Sequence, residues 1–273
     1  MYRTLTLLSL IFSLGTTLSA QDIETHAYFQ IETNKTAYAF GDNINVRDAP
    51  NTTGKVLTQI KAGTTLKILD VAGDKLAQKG IEVPWVKVQF LQNGKSQQGY
   101  IWSGLLALDR IARDGFEFLL GLTRIENGVY YQEVRIVKQG ALLATKEYKS
   151  NAEDGHEFGF EVLGNKGVPN ISNVIRVYNY MPACLHWTGF SVFLWDGKTL
   201  AYIGFEGGTI NVGQSWDEID FIFPEEKGGK QEEGWVVKKV IKGQEDEIGN
   251  SVETITTTIW TWDGKQLVHK KEE

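Results

Sequence analysis

The sequence predicts an all-β protein in which a small barrel is followed by a larger antiparallel β domain, built as a sandwich or an incomplete propeller-like sheet. Apolar residues recur at every second position in short runs, and Gly, Asn or Asp lies between most of these runs. Residues 85–90, for example, alternate cleanly and lead into Asn93-Gly94, a strong β-hairpin signal. No segment has the three- and four-residue spacing of a long amphipathic helix.

The first twenty residues have the three parts of a secretory signal. Arg3 marks a short basic region, residues 5–14 form an apolar run, and residues 18–20 form a small, polar end. This pattern predicts cleavage before Gln21 and a polar lead-in over residues 21–36. The apolar run is too short to cross a bilayer comfortably. We therefore expect an exported bacterial protein, periplasmic or extracellular, with no membrane span after signal cleavage.

Composition narrows the possible partners and the source of stability. The formal net charge of the 273-residue chain is −6, and the acidic excess lies in residues 109–273. No basic footprint for nucleic acid is present, so we expect no nucleic-acid partner. Cys184 is the single cysteine, so no intrachain disulfide can form and stability must come from packing.

The N-terminal part of the chain breaks into five or so short alternating runs within about 70 residues. So few short strands cannot cover both faces of an open sheet, and a closed or nearly closed barrel is the economical arrangement. The runs lie at residues 44–47, 56–60, 65–69, 85–90 and 98–102.

Several motifs in this part occur in the order typical of one family, and residues 37–108 resemble the bacterial SH3 (SH3b) domain. Residues 44–50 resemble the family opening N-V-R-x-x-P, and residues 55–57 with 61–64 resemble its K-V-[IL] and [KR]-x-G segments. Residues 85–88 and 99–103 fill its W-x-K-V and G-[WY]-[VI] positions. Residues 70–84 and 91–98 are longer than a compact member needs, and such loops form the walls of grooves in small barrels.

The resemblance implies binding to the cell envelope, commonly to peptide or glycan parts of peptidoglycan, without catalysis. Aromatic rings would offer flat apolar faces, and Arg47 or Asn45 would bond amides or carboxylates. The competing interpretation is structural, with Trp85 in the core and Arg47 bonded to the turn after it. The candidate ligand-binding residues are Tyr38, Asn45, Arg47, Trp85, Tyr100 and Trp102.

Residues 109–115 are interpreted as a linker, and residues 116–273 as a β-rich domain of unknown role. A repeat is visible, because residues 194–200 are echoed by residues 261–267 and more faintly by residues 137–143. Each copy predicts a strand, a tight Asp-Gly or Gln-Gly turn and a returning strand. Three copies are too few for a closed propeller. Predicted strands lie at 129–137, 141–148, 158–162, 174–180, 190–195, 200–205, 219–223, 235–241 and 252–262.

No catalytic or metal-binding motif emerges from the chain. Cys184 follows Pro and Ala, and His186, two residues away in an extended segment, would point to the opposite face, which is poor geometry for a thiolate pair. The four histidines show no ligand spacing, and the acidic clusters lack the glycine of a calcium loop. We therefore expect no catalytic residue, no metal and no cofactor.

The leading hypothesis is a non-catalytic envelope protein whose barrel binds a cell-wall component or a protein partner. The alternative is a cell-wall hydrolase, or an inhibitor of one, with its active surface in the C-terminal β domain. A third possibility is that the barrel acts only as an intramolecular spacer. The deciding observation is whether the face that bears Arg47, Trp85 and Tyr100 is an open groove or is covered by residues 70–84 and the C-terminal domain.

Overall fold

The computed structural model describes residues 26–27, 31–150, 157–180, 188–211, 215–230, 234–245 and 251–270. Within these ranges the chain forms three antiparallel sheets, a 3₁₀ turn at Ser103–Leu105 and no α-helix, which confirms the all-β prediction. The strands are β1 (His26–Ala27), β2 (Thr36–Tyr38), β3 (Ile44–Arg47), β4 (Val56–Ile60), β5 (Thr65–Gln78), β6 (Ile81–Gln92), β7 (Lys95–Trp102), β8 (Asp109–Arg113), β9 (Phe116–Glu126), β10 (Val129–Lys138), β11 (Ala141–Lys149), β12 (Glu157–Val162), β13 (Asn173–Tyr180), β14 (Thr188–Trp195), β15 (Leu200–Asn211), β16 (Ser215–Ile222), β17 (Val236–Glu245), β18 (Ser251–Trp262) and β19 (Leu267–His269).

The first sheet is a curled, half-barrel arrangement of six strands in the order β2-β5-β6-β7-β3-β4. Its inner face carries the alternate apolar residues of the predicted runs, among them Val46, Leu66, Val88 and Ile101, each less than 2% exposed. Because β2 and β4 stay at the two ends of this order, the hydrogen bonds do not form a complete ring and the sheet remains a half-barrel.

The predicted insertion between residues 70 and 84 is a β-hairpin and not an irregular loop. Strands β5 and β6 continue past the barrel and turn at Lys79-Gly80, where φ is 52° and 77°. The pairing of the two strands shifts in register at Ile68/Asp70 and at Ala72/Lys75, and such irregularities increase the local twist. We call residues 70–84 the hairpin arm. Its tip reaches the C-terminal part of the chain, where the Ile125 N–H donates to the Lys79 carbonyl at 2.9 Å.

Residues 109–115 were predicted to be a linker between the two domains, and in the structure they form a strand and a turn. Residues 109–113 form strand β8, and Asp114-Gly115 make the turn into β9. The charges that suggest an exposed linker have partners at the sheet: Arg110 lies 3.4 Å from Glu117, and the Arg113 guanidinium donates to the Val162 carbonyl at 3.1 Å. The four-stranded sheet therefore begins where a junction was expected.

Strand β9 is the central element that periodicity did not predict. It belongs to the four-stranded sheet β11-β10-β9-β8, and both faces of β9 itself are covered. Phe118 and Leu120 pack toward the nine-stranded sheet, whereas Leu119 packs against Phe40 and Ala62 of the barrel. A strand buried on both sides reads as a continuous apolar run, so the two-residue alternation disappears from the sequence.

The third sheet contains nine strands in the order β1-β12-β13-β14-β15-β16-β17-β18-β19. One face of β12–β15 forms a sandwich with the four-stranded sheet, around a core that includes Phe158, Ile175, Phe193 and Trp195. Strands β16–β19 curl over to the other face and enclose a second core. Gly204 permits the bend, since its φ is 140° and a Cβ there would lie 3.1 Å from the Phe221 ring. The C-terminal part is a sandwich with a curled second half.

The described residues contain no helix that is long and apolar enough to cross a membrane.

Candidate functional site

The barrel bears a cleft of about 260 Å³ beside strand β3, which we call the barrel cleft. Four of the six predicted ligand-binding residues line it, namely Asn45, Arg47, Trp85 and Trp102. Tyr38 and Tyr100 do not. The structure therefore brings the tryptophans of β6 and β7 together with the polar residues of β3.

The two tryptophans form the closed side of the barrel cleft. Trp85 and Trp102 lie directly opposite each other on β6 and β7, and each is 6% exposed. The Trp102 Nε1–H lies 3.0 Å from the Leu76 carbonyl and 3.2 Å from that of Val83, so the hairpin arm fixes the indole. A Cβ on Gly104 would lie 2.3 Å from the same ring, so only glycine allows the chain to cross it.

Asn45 and Arg47 make the polar wall. The Asn45 Oδ1 accepts a hydrogen bond from Gln59 Nε2 at 2.9 Å, which orients the amide. The Arg47 Nη1 donates to the Gly54 carbonyl at 2.6 Å and so ties β3 to the following turn. An arginine has five N–H donors, so one bond to the turn leaves others available to a ligand. The structural and the binding interpretations of Arg47 are thus compatible.

The rim of the barrel cleft contains residues that the sequence did not indicate. Asp42 and Asn43 come from the turn before β3, and Asn43 has a φ of 59°. Thr52 comes from the turn after β3, and Gln78 comes from the hairpin arm. Asp42 and Asn43 are close to β3 in sequence and could have been found there. Nothing in the sequence places Gln78 beside Asn45.

The barrel face that bears Arg47, Trp85 and Tyr100 was expected to be either an open groove or a covered surface. In the structure, most of its tryptophan surface is covered. Leu76, Ile81 and Val83 of the arm pack on the tryptophans from one side, and Leu122 and Tyr130 of the four-stranded sheet pack from the other. The edge of the face next to Asn45 and Arg47 borders the barrel cleft. The cleft is lined by the side-chain amides of asparagine and glutamine, a threonine hydroxyl, one guanidinium and one carboxylate. This lining suits a small polar ligand with amide or hydroxyl groups.

Tyr38 and Tyr100 lie elsewhere on the barrel. Tyr38 packs beside Phe40 and Leu119, and the Arg110 guanidinium lies 4.9 Å from its ring centroid. Tyr100 is half-buried, opposite Arg47 in the strand register, and it packs against the tryptophan cluster. Both tyrosines pack in clusters that the barrel shares with the four-stranded sheet. Their contact with a ligand remains a prediction.

The described residues contain no group of three or more His, Cys, Asp or Glu side chains that could hold a metal ion. Cys184 and His186 lie outside the described residues. His269 is exposed and meets the Trp260 ring edge-on, with the ring centroids 5.4 Å apart. Of the acidic residues on β16, Asp217 and Asp220 stand opposite lysines of β17.

A partly buried group of charges links β13, β15 and the turn after β16, and the sequence did not indicate it. The Arg176 guanidinium lies 3.3 Å from a Glu206 carboxylate oxygen and 3.2 Å from one of Glu226. Burial is the main cause that raises the pKa of Glu206 to about 7. Arg176 opposes this shift, while Glu226 and Asp220 add to it. One guanidinium is thus shared by two partly buried carboxylates.

The fold defines a small SH3-like half-barrel that is followed by a larger β-rich part. Residues 42–107 match the family model of the bacterial SH3 domain, which confirms the resemblance for this segment. Bacterial SH3 domains often bind cell-wall components and are typical of exported proteins. No curated protein and no solved structure matches the chain.

Proposed function

We propose that this protein is an exported, non-catalytic protein of the bacterial envelope that binds peptidoglycan through the barrel cleft. The observation that carries the proposal is that Asn45 and Arg47 stand beside Trp85 and Trp102 in one cleft of the segment that matches the bacterial SH3 domain. Amide and guanidinium groups bond the carbonyls, carboxylates and acetamido groups of stem peptides and glycan, and the indole edges supply apolar contact.

The hairpin arm gives the site its shape. It supplies Gln78 to the rim and holds the Trp102 indole through two carbonyls. A ligand therefore meets a wall that is already ordered, so little conformational entropy is lost on binding. The two carbonyl bonds and the packing of Leu76 and Val83 make the arm part of the binding site and not a passive insertion.

Filling the cleft tests this proposal directly. Thr52 is an exposed rim residue, so Thr52→Trp puts a bulky side chain into the cleft without disturbing the core. We expect the mature chain to sediment with purified sacculi, and the variant to bind about 10-fold more weakly, a change of about 1.4 kcal/mol. The control is Thr53→Trp on the same turn, outside the cleft, which should bind like the parent.

Two results would count against the proposal. One is that neither the parent nor the control sediments with sacculi, and the other is that Thr52→Trp binds as well as Thr53→Trp. Release of soluble muropeptides from the sacculi by the parent protein would instead favour the alternative of a cell-wall hydrolase. Each variant should retain the far-ultraviolet circular dichroism of the parent, because both substitutions are at exposed positions.

A further inference from the structure

The two best copies of the internal repeat meet in space. The turn between β14 and β15 contains Asp196-Gly197, and the turn between β18 and β19 contains Asp263-Gly264. Although they are far apart in the chain, both turns line one cleft of about 480 Å³, because β16–β19 curl over the sheet. Asn170, from the turn before β13, completes the lining. We call this the repeat cleft.

The aspartates of the two turns are held in the same way. The Asp196 Oδ1 accepts the backbone N–H groups of Lys198 at 2.8 Å and Thr199 at 2.6 Å. The Asp263 Oδ1 accepts those of Lys265 and Gln266, both at 2.8 Å. One oxygen of each carboxylate is therefore used to fix the turn.

The second oxygen, Oδ2, makes no hydrogen bond within the described part of the chain on either Asp196 or Asp263. The backbone N–H groups of Gln266 and Lys265 also lower the pKa of Asp263, so that carboxylate is ionised at neutral pH. The repeat cleft thus offers two oriented acceptors whose side chains are already ordered.

The tryptophans that precede the two aspartates have different environments. Trp195 is fully buried in the core between the sheets. Trp262 is half-buried and lines the repeat cleft, while its Nε1–H is buried without a hydrogen-bond partner. Because the indole nitrogen is turned away from solvent, Trp262 presents ring carbons to the cleft. The same sequence pattern has produced a core residue in one copy and an apolar wall in the other.

The donors in the repeat cleft come from Lys198 and Asn170. Both side chains are exposed, and neither has a hydrogen-bond or ion-pair partner among the described residues. Two carboxylates and one ammonium give the cleft a net negative charge, which disfavours an anionic ligand. Two carboxylates are also fewer oxygen ligands than a calcium site needs.

We propose that the repeat cleft is a second binding site of this protein and that it takes a neutral saccharide. Sugar hydroxyls donate to the free oxygens of Asp196 and Asp263 and accept from Lys198 and Asn170, while the C–H face of the ring lies on Trp262. This site goes beyond the binding proposed for the barrel cleft, since it belongs to the other half of the molecule and uses different residues.

The test is calorimetric titration of the full mature chain with three trisaccharides. The probes are an N-acetylglucosamine trimer, maltotriose and a galacturonic acid trimer, which is anionic. We expect binding of at least one neutral probe and none of the anionic probe. The pair of neutral probes separates an acetamido-sugar source from a plain glucan, and binding of either one supports the site.

Variants assign the binding to the repeat cleft. In the double variant Asp196→Asn and Asp263→Asn, the amide oxygens still cap the turns, but the charged acceptors are lost. We expect this variant, and separately Lys198→Ala at an exposed position, to bind the neutral probe about 10-fold more weakly. The matched control is Asp217→Asn on β16, outside the cleft, which should bind it like the parent. Thr52→Trp reports separately whether the probe binds in the barrel cleft instead.

Three outcomes would overturn the inference: no binding of either neutral trisaccharide, equal binding by the parent and both repeat-cleft variants, or loss of binding in Thr52→Trp. The last outcome would place the saccharide in the barrel cleft. Failure of Thr52→Trp to lose sacculus binding would contradict the proposed function but would leave this inference standing, so the two proposals fail separately.

Discussion

The Gly80→Ala variant is expected to lose about 3 kcal/mol of unfolding free energy. Gly80 is at the tip of the hairpin arm with a φ of 77°, and a Cβ at this position would lie 2.0 Å from the Ile125 carbonyl oxygen. The obstacle is backbone, so a side-chain movement cannot relieve it. The tip must lift from the four-stranded sheet, and the hydrogen bond from Ile125 N–H to the Lys79 carbonyl is then lost.

Gly94→Ala is a matched control for the conformational part of this cost. Asn93-Gly94 forms the other two-residue turn of the barrel, with φ values of 52° and 74°, nearly those of Lys79-Gly80. A Cβ on Gly94 meets nothing within 4 Å. We expect this variant to lose only about 1 kcal/mol, the cost of a left-handed conformation in alanine. Urea denaturation followed by tryptophan fluorescence measures both losses.

The arm also links stability to the barrel cleft. Leu76 and Val83 carbonyls hold the Trp102 indole, and Gln78 stands on the rim. Gly80→Ala should therefore also weaken sedimentation with sacculi, whereas Gly94→Ala should not. Equal loss of stability in the two variants would mean that the arm tip does not dock on Ile125 in solution.

The second large effect is a pH dependence caused by Glu206. Its pKa in the folded protein is about 7, compared with an ordinary value of 4.5. Below the ordinary value the carboxyl is protonated in both the folded and the unfolded chain, so its contribution to stability is fully present. As the pH rises toward and through 7, the unfolded chain releases the proton more readily and stability falls. The loss approaches about 3 kcal/mol at pH 8.

Glu206→Gln removes this titration. We expect its unfolding free energy to change less between pH 5 and pH 8 than that of the parent, with the largest difference above pH 7. The exposed Glu82 of the arm is the control position, and Glu82→Gln should keep the parent's pH dependence. Glu218 has a pKa that burial and Asp220 also raise, so part of the slope should remain in Glu206→Gln.

Urea denaturation curves at several pH values between 5 and 8 measure how the unfolding free energy of the parent and of Glu206→Gln depends on pH. A parent protein that becomes more stable as the pH rises across this range would contradict the assignment, as would identical slopes for Glu206→Gln and the parent. The physical reason is specific: Arg176 is shared with Glu226, so it cannot fully offset the burial of a second negative charge.

Local chemistry explains which parts of the fold were predictable. Strands covered on one face keep the alternation of apolar and polar residues, so residues 44–47 and 85–90 were recognised as strands. Tight turns such as Asn93-Gly94 and Asp196-Gly197 depend on the conformational freedom and hydrogen bonding of two or three neighbouring residues. The bacterial SH3 motifs combine both kinds of signal, and the family match over residues 42–107 confirms them.

Other elements escaped prediction because their sequence patterns depend on distant partners. Strand β9 lost its alternation because Leu119 faces the barrel while Phe118 and Leu120 face the nine-stranded sheet. Strand β8 looked like a linker because the partners of Arg110 and Arg113 come from β9 and β12. The predicted role of the six ligand-binding residues is still a prediction, although four of them share the barrel cleft.

The sequence by itself determined that the chain is all-β, that a bacterial SH3 domain lies near its start, and that an Asp-Gly turn recurs in its second half. These properties depend on residues that are neighbours in the chain. Only the tertiary structure decided that Trp85 and Trp102 are mostly covered, that Gln78 joins Asn45 at one cleft, and that Asp196 and Asp263 face a common cleft. Burial and proximity depend on how sheets pack and curl, and residues far apart in sequence set both.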